Sequence, residues 1–247
     1  MPNYSEATPV RKSNETWIME QHSVRRGRPK LQSDEDLLRG VVAAFARQGY
    51  EAVSLRSLSQ DLGLSHSALG QRFGSKEALF RTAVDAEFTR FLGELALLRS
   101  TWPTQLSELE EFAVLLWCFL TASAKFPALG QLMNQVGAEP SPRLDYIVAT
   151  VVQPQLNAFG DLLQRLTKSG SITPVSTRAL FFLVAHGAEA PFTLTALSGV
   201  FDHRDGELFV DEHVVAIVQL MVRALVVDAS NQEHLTLLFD QHLSMRG

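Results

Sequence analysis

The chain has 247 residues, 46% of them hydrophobic and 20% charged, with a formal net charge of −5. That length can bury a full core and that composition is globular, which excludes a disordered chain, while net acidity by itself argues against a nucleic-acid partner. The charge is unevenly placed, however: residues 22–90 hold eleven Lys/Arg against eight Asp/Glu, and residues 91–247 hold nine against sixteen, so a basic front joins an acidic body.

Residues 1–32 are polar and rich in Ser, Pro, Asn and charge, and close on "RRGRPK". We read them as a basic, flexible arm. Ser33 then caps a first helix with Asp34, Glu35 and Asp36 in its first turn; Leu37, Leu38, Val41, Val42 and Phe45 recur at helical spacing, and Gly49 stops it. Ser54 opens a second helix (54–62) whose buried face is Leu55, Leu58 and Leu62. Gly63 supplies a turn with positive φ, Ser65 caps a third helix (65–73), and Phe73-Gly74 ends it. Ser75 caps a long fourth helix that buries Leu79, Phe80, Ala83, Val84, Phe91 and Leu95.

Beyond Pro103 the spacing predicts helices near 105–125, 127–137, 141–168, 174–198, 211–228 and 231–245, with Pro154 and Pro191 kinking or breaking two of them. No strand alternation competes, so the fold class is all-α. The chain divides into the arm (1–32), a helix-turn-helix domain (33–80) and a larger helical domain (81–247).

The second and third helices, joined at Gly63 and Leu64, form a helix-turn-helix. Small Ser59 allows a close crossing, and Leu58, Leu64 and Leu69 fill the angle. Ser65, His66, Ser67, Gln71 and Arg72 then face outward, a set able to read base edges and bind phosphate in a major groove. The stretch "DLLRGVVAAFARQGYEAVSLRSLSQDLGLSHSALGQRFGSKEALFRTAV" resembles the DNA-binding domain of the TetR family of transcriptional regulators, over about residues 33–84. The resemblance implies a helical homodimer on a palindromic double-stranded operator. It also implies a C-terminal domain whose small-molecule effector changes the separation of the recognition helices. By matching position it puts Ser65, His66, Ser67 and Gln71 on bases, Ser54 and Arg56 on the backbone, and Lys76 on a phosphate. The alternative for Lys76 is a solvated surface lysine.

The family's "LY-x-x-F" pattern reads "LGQRF" here, so Gly70 replaces an aromatic residue whose hydroxyl commonly contacts phosphate, while Arg72 offers a charge two residues on. Either the grip has shifted to Arg72, Lys76 and the arm, or Gly70 is neutral drift. Arg26-Gly27-Arg28-Pro29 resembles an AT-hook core, in which Arg26 and Arg28 would lie in an A·T-rich minor groove. The alternative is a solvated charge cluster.

In the larger domain "TRALFFLVAHGAEAPFTLTAL" and "EHVVAIVQLMVRALVV" are apolar on several faces and so need burial on several faces, and by position they resemble the helices of the family's dimeric four-helix bundle. Phe112, Trp117, Cys118, Phe119, Met133, Phe159, Phe182 and His186 are candidates to line an effector pocket, with an apolar or aromatic effector, or else plain core. His186 with Glu189 fits either a polar ligand group or a dimer contact, and Cys118 either an oxidant sensor or a small hydrophobe.

The remaining exclusions concern chemistry and place. No G-x-S-x-G, H-E-x-x-H, P-loop or Cys/His metal spacing occurs, so no catalysis, cofactor or metal is expected. The longest apolar run, "EFAVLLWCFLTASAK", falls short of the ~18–20 residues of a membrane span. The first residues lack the apolar core of a signal peptide, and a single cysteine fits a reducing compartment, so the cytoplasm is expected. The chain reads as a DNA-binding repressor released by an effector. The alternative is an architectural or protein-interaction factor that binds DNA without one.

Overall fold

The computed structural model describes residues 33–244, which are helical, with no β-strand among them and one isolated bridge between Ile172 and Val226. Helix α1 (Asp34–Gln48) starts where the Ser33 hydroxyl accepts from the Asp36 N–H at 3.1 Å and stops at Gly49, whose φ is 78°. Its buried face carries Leu37, Val41, Val42 and Phe45. Helix α2 (Leu55–Asp61) opens on a reciprocal cap between Ser54 and Ser57. Gly63, at φ 68°, turns the chain into α3 (Ala68–Phe73), and Ser59, fully buried, donates its hydroxyl to the Leu55 carbonyl at 2.8 Å. Leu58 and Leu69 are buried in the angle between the two helices, as the spacing predicts.

Helix α4 (Lys76–Ser100), capped by Ser75, has 25 residues and so spans about 37 Å at 1.5 Å per residue. Next in the chain are α5 (Glu108–Lys125) and α6 (Pro127–Gly137), which meet at 94°. Then come α7 (Pro142–Ile147), α8 (Gln153–Lys168), α9 (Thr177–Phe182), α10 (Ala190–Thr193), α11 (Thr195–Ser198), α12 (Asp202–Asp205), α13 (Val210–Leu225) and α14 (Ala229–Ser244).

The two internal prolines act through the turn that precedes them. A wider π-turn, Val148–Val152, joins α7 to α8 just before Pro154, and a second, Leu183–Ala188, joins α9 to α10 just before Pro191. Each π-turn closes with an N–H bonding five residues back, Gln153 to Val148 and Glu189 to Val184. Proline lacks a donor and its ring crowds the carbonyl four residues earlier, so a locally wider turn accommodates it. The predicted 141–168 helix thus persists with a bulge. The predicted 174–198 helix does not: it breaks at Leu194 (φ −104°, ψ 51°), and the chain turns 77° into the α11–α12 segment.

Two apolar cores form. One unites the C-terminal end of α4 with α5, α8, α9, α13 and α14 around Trp102, Phe112, Trp117 and Phe239. The other joins α1, α2, α3 and the first half of α4 to Phe126, Leu129, Leu132, Val136 and Ile147. The sequence division at residue 80 therefore does not coincide with the division of the cores. No single described helix is long and apolar enough to cross a membrane.

A buried carboxylate links the parts. Glu189 is 6% exposed, and burial pushes its carboxyl up to about 7, against the opposing pull of the Ser123 hydroxyl on α5. A Cβ at Gly130 of α6 would lie 1.8 Å from its Oε1 and 2.8 Å from Thr193 Cγ2, so only glycine lets α6 approach. Because the folded-state value lies above the unfolded one, the protonated carboxyl contributes stability that is complete below about pH 4.5 and lost as pH rises through about 7. The unfolding free energy from urea titrations should therefore fall between pH 5 and 8 by on the order of 2 kcal/mol, and Glu189→Gln should remove most of that fall. An equally steep fall in the variant would exclude Glu189 as the cause.

Candidate nucleic-acid interface

The helix-turn-helix presents its polar residues outward. Ser65, His66, Ser67, Gln71 and Arg72 are exposed, as are Ser54 and Arg56 at the start of α2. Only Leu69 of α3 is buried. The third helix starts three residues later than its serine suggests. Ser65 does not cap it; its carbonyl instead accepts from the Ala68 N–H at 3.0 Å, closing a tight turn through His66 and Ser67. Ser67 stands at the cap with helical backbone angles and no side-chain bond. Both hydroxyls and the His66 ring are thus uncommitted among the described residues. Ser54 differs, because its hydroxyl is already used on the Ser57 N–H. Arg56 makes no ion pair among the described residues.

The two other cations have partners. Arg72 pairs with Asp34 in the first turn of α1 and lies over the Phe73 ring at 5.1 Å. Both members of that ion pair are largely exposed (42% and 72%), so it is worth at most about 1 kcal/mol and can be exchanged for a phosphate. Lys76 is not the solvated lysine of the alternative reading. Its Nζ donates to the Tyr50 and Val53 carbonyls, each at 2.9 Å, and sits 4.2 Å from the Tyr50 ring centroid. An ammonium has three donors, so one remains for an outside acceptor.

The same ring has a second cation on it. Arg143 of α7 lies 3.8 Å from the Tyr50 centroid and bonds Glu51 at 3.1 Å, while the Tyr50 hydroxyl donates to Glu77 Oε2 at 3.1 Å. Burial, then the Glu77 carboxylate, raise the Tyr50 phenol. Burial alone would raise Glu77, but bonds from Arg81 and Tyr50 outweigh it and hold its carboxyl below the usual value. Nothing in the local spacing of Arg143 announces this contact, which spans ninety-two residues to Glu51.

Gly70 sits on open ground. A Cβ there would find only Leu55 Cδ1, at 4.0 Å. Its backbone φ is not in the left-handed region, so neither strain nor a close internal approach demands glycine. Arg26 and Arg28 lie outside the described residues.

The predicted pocket residues line neither of the two open volumes. Phe112, Trp117 and Cys118 are buried in the larger core; Phe119 and Phe159 pack against that core, Phe159 stacking on Phe112 at 6.1 Å. Met133 packs against the other core, and Phe182 is 56% exposed. His186 bonds Asn134 at 2.7 Å and stacks on Phe182, rather than pairing with Glu189. Burial lowers its imidazole below the usual value. The open volumes lie elsewhere, beside α10–α13 and between α5, α13 and α14. Among the described residues no group of His, Cys, Asp or Glu is placed to hold a metal ion.

Residues 37–83 match the model of the bacterial regulatory proteins of the tetR family. The helix-turn-helix segment is of the TetR type. Two curated relatives share this segment. It is 38% identical over 58 residues to the HTH-type transcriptional repressor AcnR of Corynebacterium efficiens, and 38% identical over 66 residues to the HTH-type transcriptional repressor ComR of Escherichia coli. These matches cover 24% and 27% of this chain and 31% of each relative, so the chain spans about a third of their length. The ketosteroid transcriptional regulator KstR2 of Mycobacterium tuberculosis matches as a fold, with a TM-score of 0.57, 15% identity, and coverage of 81% of this chain and 98% of that one.

The Lys76 contacts generate a test. Lys76→Met leaves two carbonyls unpaired and should lower unfolding stability by about 1–3 kcal/mol in urea. A midpoint unchanged from the parent would mean that the ammonium does not hold the α1–α2 loop.

Proposed function

We propose that this chain is a TetR-family regulator, a dimeric repressor that binds a palindromic operator and is released from it by a small molecule. The observation that carries the reading is the α2–turn–α3 surface, whose uncommitted serines, His66 and Gln71 form a compact set of donors and acceptors for base edges. The curated relatives that share this segment are described as repressors. Arg56, Arg72 and the third donor of Lys76 would meet phosphates, and Arg26 and Arg28 would extend the grip into the adjacent minor groove.

Dimerisation has a natural surface. Phe182, Leu183, Leu220 and Val227 are exposed by 56–63%, and the outward face of α13 continues through Ala216 and Ala224. A two-fold contact between copies of this face buries them and sets two reading heads side by side, as a palindrome requires. Leu220→Glu should convert the dimer to monomer in sedimentation equilibrium and abolish tight operator binding. A variant that sediments as the parent does would move the interface elsewhere.

Release would act through helices that share the head's core. Gln131 of α6 donates to the Thr193 carbonyl at 3.0 Å, Gly130 abuts Glu189, and Leu129, Leu132 and Val136 of the same helix pack into the core of α1. Displacement of α10 would thus reach the reading head through α6 as well as through α4. An effector can do this only if it binds the two arrangements with different affinity.

Footprinting of the full chain on genomic DNA should show protection of a palindrome with half-sites about one helical turn apart. Gly70→Tyr fits without an internal clash, and a restored phosphate hydrogen bond should tighten operator binding by about tenfold. Weaker binding by a folded variant would show instead that the bare helix face approaches DNA too closely for a side chain.

A further inference from the structure

Helix α6 is gripped from one side by the segment between the second π-turn and the break at Leu194. The Gly130 backbone abuts the Glu189 carboxyl, Gln131 holds the Thr193 carbonyl, and Asn134 bonds the His186 ring at 2.7 Å. Positions 130 and 134 lie about one turn apart and so share a face. Leu129, Leu132, Met133 and Val136 of the same helix pack into the core that contains the reading head. The helix thus stands between a clamp and the head.

Glu189 is the ionisable centre of that clamp. It is 6% exposed, it makes no ion pair among the described residues, and the Ser123 hydroxyl of α5 bonds it. The elements around it supply no cation to meet a carboxylate. Helix α6 carries no ionisable side chain at all. On α5, Lys125 pairs with Glu94 at 2.6 Å. On α13, His213 turns its Nε2 to the Ala188 carbonyl at 3.0 Å, and Asp211 and Glu212 before it are exposed. On the segment itself, His186 is bonded to Asn134, and burial lowers its imidazole, which leaves its charge change on the acid side of that of Glu189.

A neutral carboxyl suits this seat, whereas a carboxylate would lose its hydration with one hydroxyl in return. Water cannot simply enter. A Cβ on Gly130 would lie 1.8 Å from Glu189 Oε1, so the carboxyl rests on the α6 backbone, and hydrating it requires the segment to move off the helix. Joints for that movement flank it, the π-turn Leu183–Ala188 before Glu189 and the break at Leu194 after it.

We propose that this clamp is a proton-operated latch: protonated Glu189 seats on Gly130 and fixes α6 and the head for operator binding, and loss of the proton unseats the segment and frees α6. An unlatched head must be ordered again on DNA, which costs affinity. The proposal rests on the repressor reading above and adds the proton as a regulator of the same head.

The test is operator affinity of the full-length protein, by fluorescence anisotropy at constant ionic strength, from about pH 6 to about pH 8.5. The parent should lose about tenfold across that range, within the usual span of coupling between linked sites. Glu189→Gln, an uncharged isostere, should keep the acid-end affinity throughout. Gly130→Ala crowds the carboxyl out of its seat and should bind weakly even at the acid end. If Glu189→Gln does not fold, as judged by its melting curve, Gly130→Ala decides. His66 on the reading face is itself an imidazole, so each curve is repeated in a His66→Gln background and only the fall that survives there counts.

A fall as steep in Glu189→Gln as in the parent, or parental affinity in Gly130→Ala, overturns the latch. So does an unfolding free energy that falls with pH while operator affinity stays level, which would leave Glu189 a purely structural role. Hydrogen exchange without DNA separates the latch from the reading beneath it. Amides of α6, corrected for intrinsic rates, should lose protection with rising pH in the parent and keep it in Glu189→Gln. That result in a protein that binds no operator supports the latch and overturns the repressor reading. Level protection in a protein that does bind operator overturns the latch and leaves that reading standing.

Discussion

A helix-turn-helix head of this size buries too little apolar surface to be more than marginally stable alone, and that deficit organises the rest of the molecule. Residues 37–88 complete their core with Phe126, Leu129 and Leu132, and with Val136 and Ile147 from further along the chain. The head is thereby stabilised and, by the same contacts, tied to α6 and α7. Whatever repositions those helices must either move the head or open its core. Because packed interiors tolerate discrete rearrangements better than continuous deformation, a rigid displacement is the cheaper response.

The polar contacts obey the same geometry. Tyr50 lies at the end of α1 with Lys76 of α4 and Arg143 of α7 both directed at its ring, and Glu77 and Glu51 supply the opposing charge. On the neighbouring face, Arg90 of α4 joins Glu35 of α1 at 2.9 Å to the buried Glu87 at 2.6 Å and lies over Phe126 at 5.1 Å. Individually such pairs contribute little when exposed. Placed at the edges of a shared apolar core, they set the rotation of the head about α4. A lysine that resembles a phosphate contact in sequence is, in the folded chain, first of all a strut for the loop that starts α2.

What was legible in the sequence is what local chemistry decides. Ser33, Ser54 and Ser75 cap the helices they precede, and Gly49, Gly63 and Gly74 take the positive φ values that end or turn them. Periodicity marked the buried face of α1 and that of the first half of α4, while Phe91 and Leu95 are only partly buried, and the order of caps, turns and leucines carried the resemblance to the family. Ser65 misled because a serine two residues before another can close a turn through its carbonyl instead of capping through its hydroxyl. Pro154 and Pro191 signalled perturbation, but whether a helix widens or breaks depends on the residues beyond the proline. Pro154 leads into a sustained amphipathic helix, and Pro191 into Leu194 and a 77° change of direction.

The pocket was illegible for a different reason. Aromatic residues at helical spacing reveal that a face is buried, not whether it meets a neighbour or encloses a space. Phe112 and Trp117 meet neighbours. The spaces occur where the helix that was expected to continue past Pro191 turns away at Leu194, leaving α10–α12 to fold against the start of α13 with a row of carboxylates between them. A broken helix is what opens that volume, and the same break places Glu189 and Thr193 against the one glycine through which α6 can approach. The open volume and the contacts of α10 with α6 are consequences of a single interruption in the chain.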